Sequence, residues 1–160
     1  MQIQSTRFGT IEIREDAVLT FTDGLPGLPG KSWAFVAKND DSPFYWLHSV
    51  ERPDLAVPVA SPWLFFANYE VRVSEDEARS LGLSDPSDAL ITCVVRASER
   101  IADFTINLAC PLIVNTGSRI GRQIINDAGG YSVRHPLFSE VDLDEAQTAP
   151  TTVPLTAAAG

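Results

Sequence analysis

The stretch 105-TINLACPLIVNTGSRIGRQ-123 is the most informative part of the sequence for the fold. Before the proline, Thr105, Asn107 and Ala109 alternate with apolar neighbours, which is the period-two pattern of a half-buried strand. The segment Asn115-Thr116-Gly117-Ser118 has turn chemistry, because asparagine and glycine tolerate left-handed backbone angles. The stretch therefore predicts antiparallel strands joined by a turn.

The same pattern of short apolar runs, separated by Gly, Pro, Asp and Asn, continues through most of the chain. The predicted strands are residues 11–13, 17–21, 33–37, 44–50, 55–59, 69–73, 89–97, 103–109, 112–115, 122–126 and 131–134. So many short strands favour a barrel or a sandwich. We predict a mainly β, single-domain, antiparallel β-barrel-like fold with one short helix.

The predicted helix begins at the capping box Ser74-Glu75-Asp76-Glu77, whose acidic residues suit the positive end of a helix dipole. Gly82 is a suitable C-terminal stop. The composition changes after Phe138, because residues 139–160 hold four acidic residues, no basic residue and an Ala/Thr/Pro-rich end. We therefore predict a β domain at 1–138 and a disordered tail at 139–160.

Composition limits the classes of partner. The chain has 160 residues, 44% of them hydrophobic, with 12 basic against 21 acidic residues and a net charge of −9. Such a surface repels phosphate backbones and anionic membranes, so we expect no direct nucleic-acid or membrane binding. A signal peptide and an apolar span are not evident, which predicts a cytoplasmic protein with free cysteines Cys93 and Cys110.

Motifs for catalysis or for cofactors are weak. The segment 24-GLPGLPGKS-32 ends like a phosphate-binding loop, but its glycine spacing is wrong and Pro26 and Pro29 remove backbone donors. The two histidines, His48 and His135, stand in no triad or zinc motif. We expect a protein that is not an enzyme and that uses no metal and no cofactor.

Seven aromatic residues fall within 26 positions, from Phe44 to Tyr69. Most are expected in the core, with one or two left for an exposed groove or an interface. They also support an alternative hypothesis, a ligand-binding or enzymatic β-barrel with a pocket near Trp46, His48 and Trp63. An OB-like nucleic-acid binder is a third hypothesis, which the acidic charge opposes.

Taken in order, the residues resemble the FliW family of flagellar assembly factors over about residues 1–138. The run Asn-Leu-x-x-Pro-x-x-x-Asn at 107–115, followed by Arg-x-Gly-x-Gln at 119–123, is the most specific part of the resemblance. The other matching segments are 6-TRFG-9, Phe21 with 24-GLPG-27, 46-WLHS-49, Val59, Pro62 and Asn68-Tyr69. Cys110, Leu28 and the acidic tail depart from the pattern, which leaves partner preference open.

The resemblance implies partner switching. Proteins of this family bind flagellin before its export, and the protein freed when flagellin is depleted binds the translational regulator CsrA. This antagonism is expected to be non-competitive and to relieve repression of flagellin translation. An acidic protein suits this role, since it would repel RNA from a basic RNA-binding dimer.

Eight side chains are predicted to contact a partner. The candidates for partner binding are Tyr69, Glu75, Asp76, Glu77, Asn107, Asn115, Arg119 and Gln123. For the amides Asn107, Asn115 and Gln123 a structural role is the stronger interpretation, because side-chain amides commonly satisfy backbone groups at strand ends and turns.

Overall fold

The computed structural model describes residues 1–37 and 42–138, which form a mainly β domain. Its strands are β1 Gln2–Ser5, β2 Gly9–Glu12, β3 Leu19–Thr20, β4 Ser32–Val36, β5 Phe44–Ser49, β6 Ala56–Ala60, β7 Ala89–Arg96, β8 Thr105–Ile106, β9 Leu112–Asn115, β10 Gly121–Gln123 and β11 His135–Pro136. The α-helix of the described residues is α1, Glu75–Ser80, and short 3₁₀ turns lie at Glu15–Ala17, Pro62–Leu64, Pro86–Asp88 and Ile101–Asp103. The mainly β, single-domain prediction with one short helix is confirmed.

Nine strands form one antiparallel sheet, and seven of them follow the order β10-β9-β7-β6-β5-β4-β3. Strand β8 also pairs with β7, and β11 pairs with β8. The predicted hairpin is confirmed, since β9 and β10 pair with Val114 opposite Gly121. Strands β1 and β2 form a separate two-stranded sheet.

The main core clusters draw on successive strands of the large sheet. One contains Phe21, Trp33, Leu47, Val59 and Leu112, all fully buried. A second cluster joins β6, β7 and β8 to a group of half-buried aromatic side chains. Its members include Ala60, Tyr69, Cys93, Val95, Ile106, Leu108 and Leu137, with Phe44, Trp63, Phe65, Phe66, Phe104, Tyr131 and Phe138 packed against them. Apolar side chains that alternate along the strands therefore supply the clusters, as the period-two pattern predicts.

Two predicted strands are wrong. Residues 69–73 are not a strand, because side chains take their backbone donors: Glu70 N–H donates to the Tyr131 hydroxyl at 3.0 Å, and Arg72 N–H to Asn126 Oδ1 at 3.0 Å. Residues 131–134 precede the two-residue strand β11 rather than forming one. Strand β1 was not predicted, since alternating glutamines give it little apolar signal.

One isolated backbone bridge joins the two edges of the sheet among the described residues. Thr20, at the end of β3, forms an isolated parallel bridge with Ile120, next to β10, and Thr20 N–H donates to the Arg119 carbonyl at 2.9 Å. A single bridge is not a ladder, so a closed barrel stays a prediction. The predicted tail at 139–160 lies outside the described residues.

Candidate functional site

Asn115, a predicted contact residue, lies inside the fold. It is only 8% exposed. Its Nδ2 donates to the carbonyls of Leu81 at 2.8 Å and Gly82 at 3.3 Å, and its Oδ1 accepts from the N–H groups of Gly117 and Ser118. The side chain therefore joins the end of α1 to the β9–β10 turn, which is the structural role anticipated for the amides.

The other two amides meet at Cys110. Asn107 Oδ1 accepts from the Cys110 N–H at 2.9 Å, and Gln123 Nε2 donates to the Cys110 carbonyl at 3.1 Å. Both side chains are half-buried. They hold the link between β8 and β9 against β10 and still present part of their surface to solvent. Contact with a partner through Asn107 and Gln123 stays a prediction.

Tyr69 is a buried anchor. Its hydroxyl donates to the Leu108 carbonyl at 2.7 Å and accepts from Asn126 Nδ2 at 3.2 Å. Burial raises the pKa of Tyr69 above its ordinary value, and burial likewise raises the pKa of the neighbouring Cys93 thiol to about 12. Both groups are therefore neutral at physiological pH. Asn126, which no motif in the sequence indicated, satisfies the backbone that a strand at 69–73 would have used.

Arg119 has the left-handed backbone of the β9–β10 turn. Its φ is 63°, and among the residues that the structure describes it is the non-glycine residue with a positive φ. Its N–H donates to the Asn115 carbonyl at 2.7 Å and its carbonyl accepts from Thr20. The residue thus fixes the turn and links it to β3, at a backbone cost that glycine would avoid.

Helix α1 begins as the capping box predicts. Ser74 Oγ accepts from the Glu77 N–H at 3.2 Å, and Gly82 follows the helix with a φ of 67°. Glu75 and Asp76 are exposed and Glu77 is half-buried. The predicted acidic contact residues therefore project from one short element, at the end where a helix dipole favours negative charge.

Beside this helix lies an apolar groove of about 380 Å³, here called the α1 groove. Its lining is Val71, Val73, Ala78, Leu83, Ser84, Asp85, Pro86, Ala89, Ile91 and Ile113. Six carboxylates lie in the groove or within two residues of its lining along the chain, namely Glu70, Glu75, Asp76, Glu77, Asp85 and Asp88; the arginines there are Arg72 and Arg79. Arg79 is paired with Asp76 at 3.4 Å. The groove is thus apolar inside and predominantly acidic at its border.

Sequence reasoning missed this groove because its lining comes from four separated segments. The sequence pattern assigns Val71 and Val73 to a strand, and the capping box indicates only the helix.

The hydrogen bond from the Ser87 N–H to Asp85 holds the pKa of that carboxyl below its usual range, so Asp85 carries its charge at neutral pH.

The residues of the alternative pocket have different surroundings. His48 is fully buried; its Nδ1–H donates to the Ser49 carbonyl at 2.7 Å, and its Nε2 is hydrogen-bonded to Ser5 Oγ at 2.8 Å. Trp46 packs against Phe8 and under the Arg7 guanidinium, whereas Trp63 donates to the Tyr69 carbonyl. His48 is thus a satisfied core residue, and this arrangement does not favour a catalytic pocket.

The loop that resembles a phosphate-binding motif is a series of turns. Gly24, Gly27 and Gly30 have φ values of 71°, 77° and 93°, and Leu25 bridges to Leu28. Pro26, Gly27 and Pro29 are exposed, but Leu25 is buried, so the loop is tied to the core rather than wholly free. The turns agree with the interpretation that excluded a nucleotide site.

The described residues offer neither a metal-binding cluster nor a membrane-spanning helix. Groups of three or more His, Cys, Asp or Glu able to hold a metal ion do not occur within 1–37 and 42–138. In that same part of the chain, α1 is far too short to cross a bilayer, and no other helix is long and apolar enough.

The sequence matches the FliW protein family over residues 2–137. Among similar proteins, the flagellar assembly factor FliW of Desulfitobacterium hafniense strain Y51 is 38% identical over 146 residues, which is 91% of this chain and 96% of the relative. The flagellar assembly factor FliW of Magnetococcus marinus is also 38% identical, over 88% of this chain and 86% of its own. The family match thus spans nearly all of the described domain.

The fold agrees with the sequence. A crystal structure of the flagellar assembly factor FliW superposes with a TM-score of 0.80 at 28% identity, covering 88% of this chain and 99% of the other. The family match over residues 2–137 contains α1, the β9–β10 hairpin and the Asn115 network. With most of its length matched in sequence and in fold, this chain belongs to the FliW family.

Proposed function

We propose that this protein is a non-enzymatic flagellar assembly factor of the cytoplasm that binds flagellin and antagonises CsrA non-competitively. Flagellin would stay bound to this protein while flagellin export is blocked. When flagellin is depleted, the freed protein would bind CsrA and relieve repression of flagellin translation. Family membership supports the assembly role, and the partners are those that the resemblance implies.

The α1 groove is the observation that carries the CsrA part of the proposal. Its apolar lining offers area to bury, and its acidic border suits a basic RNA-binding protein. A protein that binds CsrA through this surface would not need to cover the RNA site of CsrA. Its acidic side chains would repel the RNA phosphates from nearby. The proposal therefore assigns CsrA to the surface that includes Glu75, Asp76 and Glu77.

Two binding measurements test the partner switch. Isothermal titration of the protein with flagellin, and separately with CsrA, is expected to give micromolar or tighter binding to each. Repeating each titration with the other partner already bound is expected to abolish the heat. Binding of flagellin alone would remove the regulatory part of the proposal, and binding of neither would remove both parts.

A pair of matched charge reversals tests the surface. Glu70→Lys with Glu75→Lys changes two exposed carboxylates beside the α1 groove whose side chains make no described hydrogen bond. Glu15→Lys with Glu99→Lys makes the same change in net charge elsewhere. Glu15 lies in the turn after β2, whose neighbours Ile13 and Val18 belong to a core cluster that shares no residue with the α1 groove. Glu99 lies past Arg96, at the other end of β7 from the groove residue Ala89 and roughly 25 Å along the strand.

The groove pair is expected to weaken CsrA binding by about tenfold or more, since close charges across an interface are each worth about 1 kcal/mol. The distant pair is expected to change it by less than about threefold, because salt screens charges beyond about 10 Å. Equal losses in the two pairs would mean that only net charge matters and that the α1 groove is not the contact.

A further inference from the structure

A second groove differs from the rest of this acidic protein. Its walls come from three segments. Val94 and Arg96 belong to β7, Thr105 belongs to β8 and Asn107 follows it, and Val133 and Arg134 precede β11. It measures about 180 Å³ and is here called the β8 groove. Val94 and Asn107 also line an adjoining cleft of about 250 Å³, which runs beneath the 25–28 loop to Gln123.

The charged side chains that line the β8 groove are both arginines. Arg96 and Arg134 are exposed, and neither has an ion pair, a hydrogen bond from its side chain or a ring contact with any residue of 1–37 or 42–138. Carboxylates line neither this groove nor the adjoining cleft. Two unpaired guanidinium groups beside Val94 and Val133 suit a segment that alternates carboxylates with apolar side chains.

The chain itself carries such a segment directly after the described domain. Residues 139–145 read SEVDLDE, in which Glu140, Asp142, Asp144 and Glu145 surround Val141 and Leu143. Residues 139–160 hold no basic residue. The composition of this segment therefore complements both the charge and the apolar walls of the groove.

The segment also starts close to the groove. Strand β11 pairs with β8, placing Pro136 opposite Thr105, and the Leu137 N–H donates to the Phe104 carbonyl at 3.0 Å. Seven extended residues span up to about 23 Å. The segment is therefore longer than the few β8 residues that form one wall of the groove. Because the segment is tethered, its effective concentration at the groove is in the millimolar range, so even weak contacts suffice.

We propose that residues 139–145 bind in the β8 groove of their own chain, with their carboxylates on Arg96 and Arg134 and with Val141 and Leu143 against Val94 and Val133. The bound segment covers Asn107, one of the contact residues predicted from the sequence. It therefore competes with any partner that uses this face. The proposal does not depend on flagellin or CsrA binding.

Nuclear magnetic resonance of the full-length, ¹⁵N-labelled chain tests this assignment. Arg96→Glu with Arg134→Glu is expected to shift the amide resonances of Val141 and Leu143. Asp142→Arg with Asp144→Arg is expected to shift those of Asn107 and Val133. Combining all four changes restores opposite charges and is expected to return these resonances toward their wild-type positions.

The control is Arg14→Glu with Arg52→Glu, which makes the same charge change at two exposed arginines outside the groove. It is expected to leave Val141 and Leu143 unshifted. Unshifted resonances in the groove variant, or equal shifts in the control, would overturn the proposal. Shifts that disappear on dilution would also overturn it, because they would assign the groove to the tail of a second copy.

Discussion

The Asn115 side chain shows how a residue of the most specific sequence run serves the fold. All the hydrogen bonds described for its amide go to backbone groups, two after α1 and two in the β9–β10 turn. Of these groups the Leu81 carbonyl is buried, so losing its partner costs free energy because water does not replace the bond. The residue is therefore needed for stability whether or not a partner touches it.

Replacing Asn115 by alanine is expected to lower the free energy of unfolding by about 2 kcal/mol, since four backbone groups lose their partner. Urea unfolding followed by circular dichroism measures this change. Asn68→Ala, at an exposed turn position, is the matched control and is expected to stay within about 0.5 kcal/mol of wild type. Equal stability of the two variants would contradict the structural role.

Prediction from sequence succeeded where the structure is local. The β9–β10 hairpin and α1 were found because turn residues, a cap and alternation lie within a few positions of one another. Residues 69–73 were misassigned because their backbone partners, Asn126 and Tyr131, lie more than fifty positions away. The two grooves were not predicted for the same reason, since each is lined by segments that only the fold brings together.

The approach of β10 to β3 depends on a glycine. A Cβ on Gly121 would lie 2.7 Å from Phe21 Cε1 and 2.9 Å from Phe21 Cζ, shorter than side chains tolerate. Phe21 is fully buried in the main core cluster, so its ring has little room to move. Close packing at this point, together with the Thr20–Ile120 bridge, holds the two edges of the sheet near each other.

Gly121→Ala is expected to destabilise the protein by about 1 to 3 kcal/mol through overpacking against Phe21. Thermal unfolding monitored by calorimetry gives the shift. Gly117→Ala is the control, because the nearest contact of its Cβ is Asn115 Oδ1 at 3.4 Å, an ordinary distance. If Gly121→Ala unfolded with the wild-type midpoint, the edge contact would be looser than described.

The whole molecule distributes its charge unevenly. The net charge is −9, yet the β8 groove carries two arginines without a described partner, while carboxylates border the α1 groove. The two grooves also draw on opposite ends of β7, Ala89 at one and Arg96 at the other. One strand therefore separates an acidic surface from a basic one, which allows two ligands of different charge to be bound at distinct places.

For the acidic surface, this separation predicts a salt-dependent and non-competitive effect on CsrA. Raising the salt from about 50 to about 500 mM is expected to weaken CsrA binding by about tenfold, because the Debye length falls from about 14 to about 4 Å. Titration calorimetry at the two salt concentrations measures this.

In a separate RNA-binding assay, adding the protein is expected to lower the affinity of CsrA for RNA to a plateau. Binding insensitive to salt would remove the electrostatic argument, and an RNA affinity that kept falling without a plateau would indicate direct competition for the RNA site.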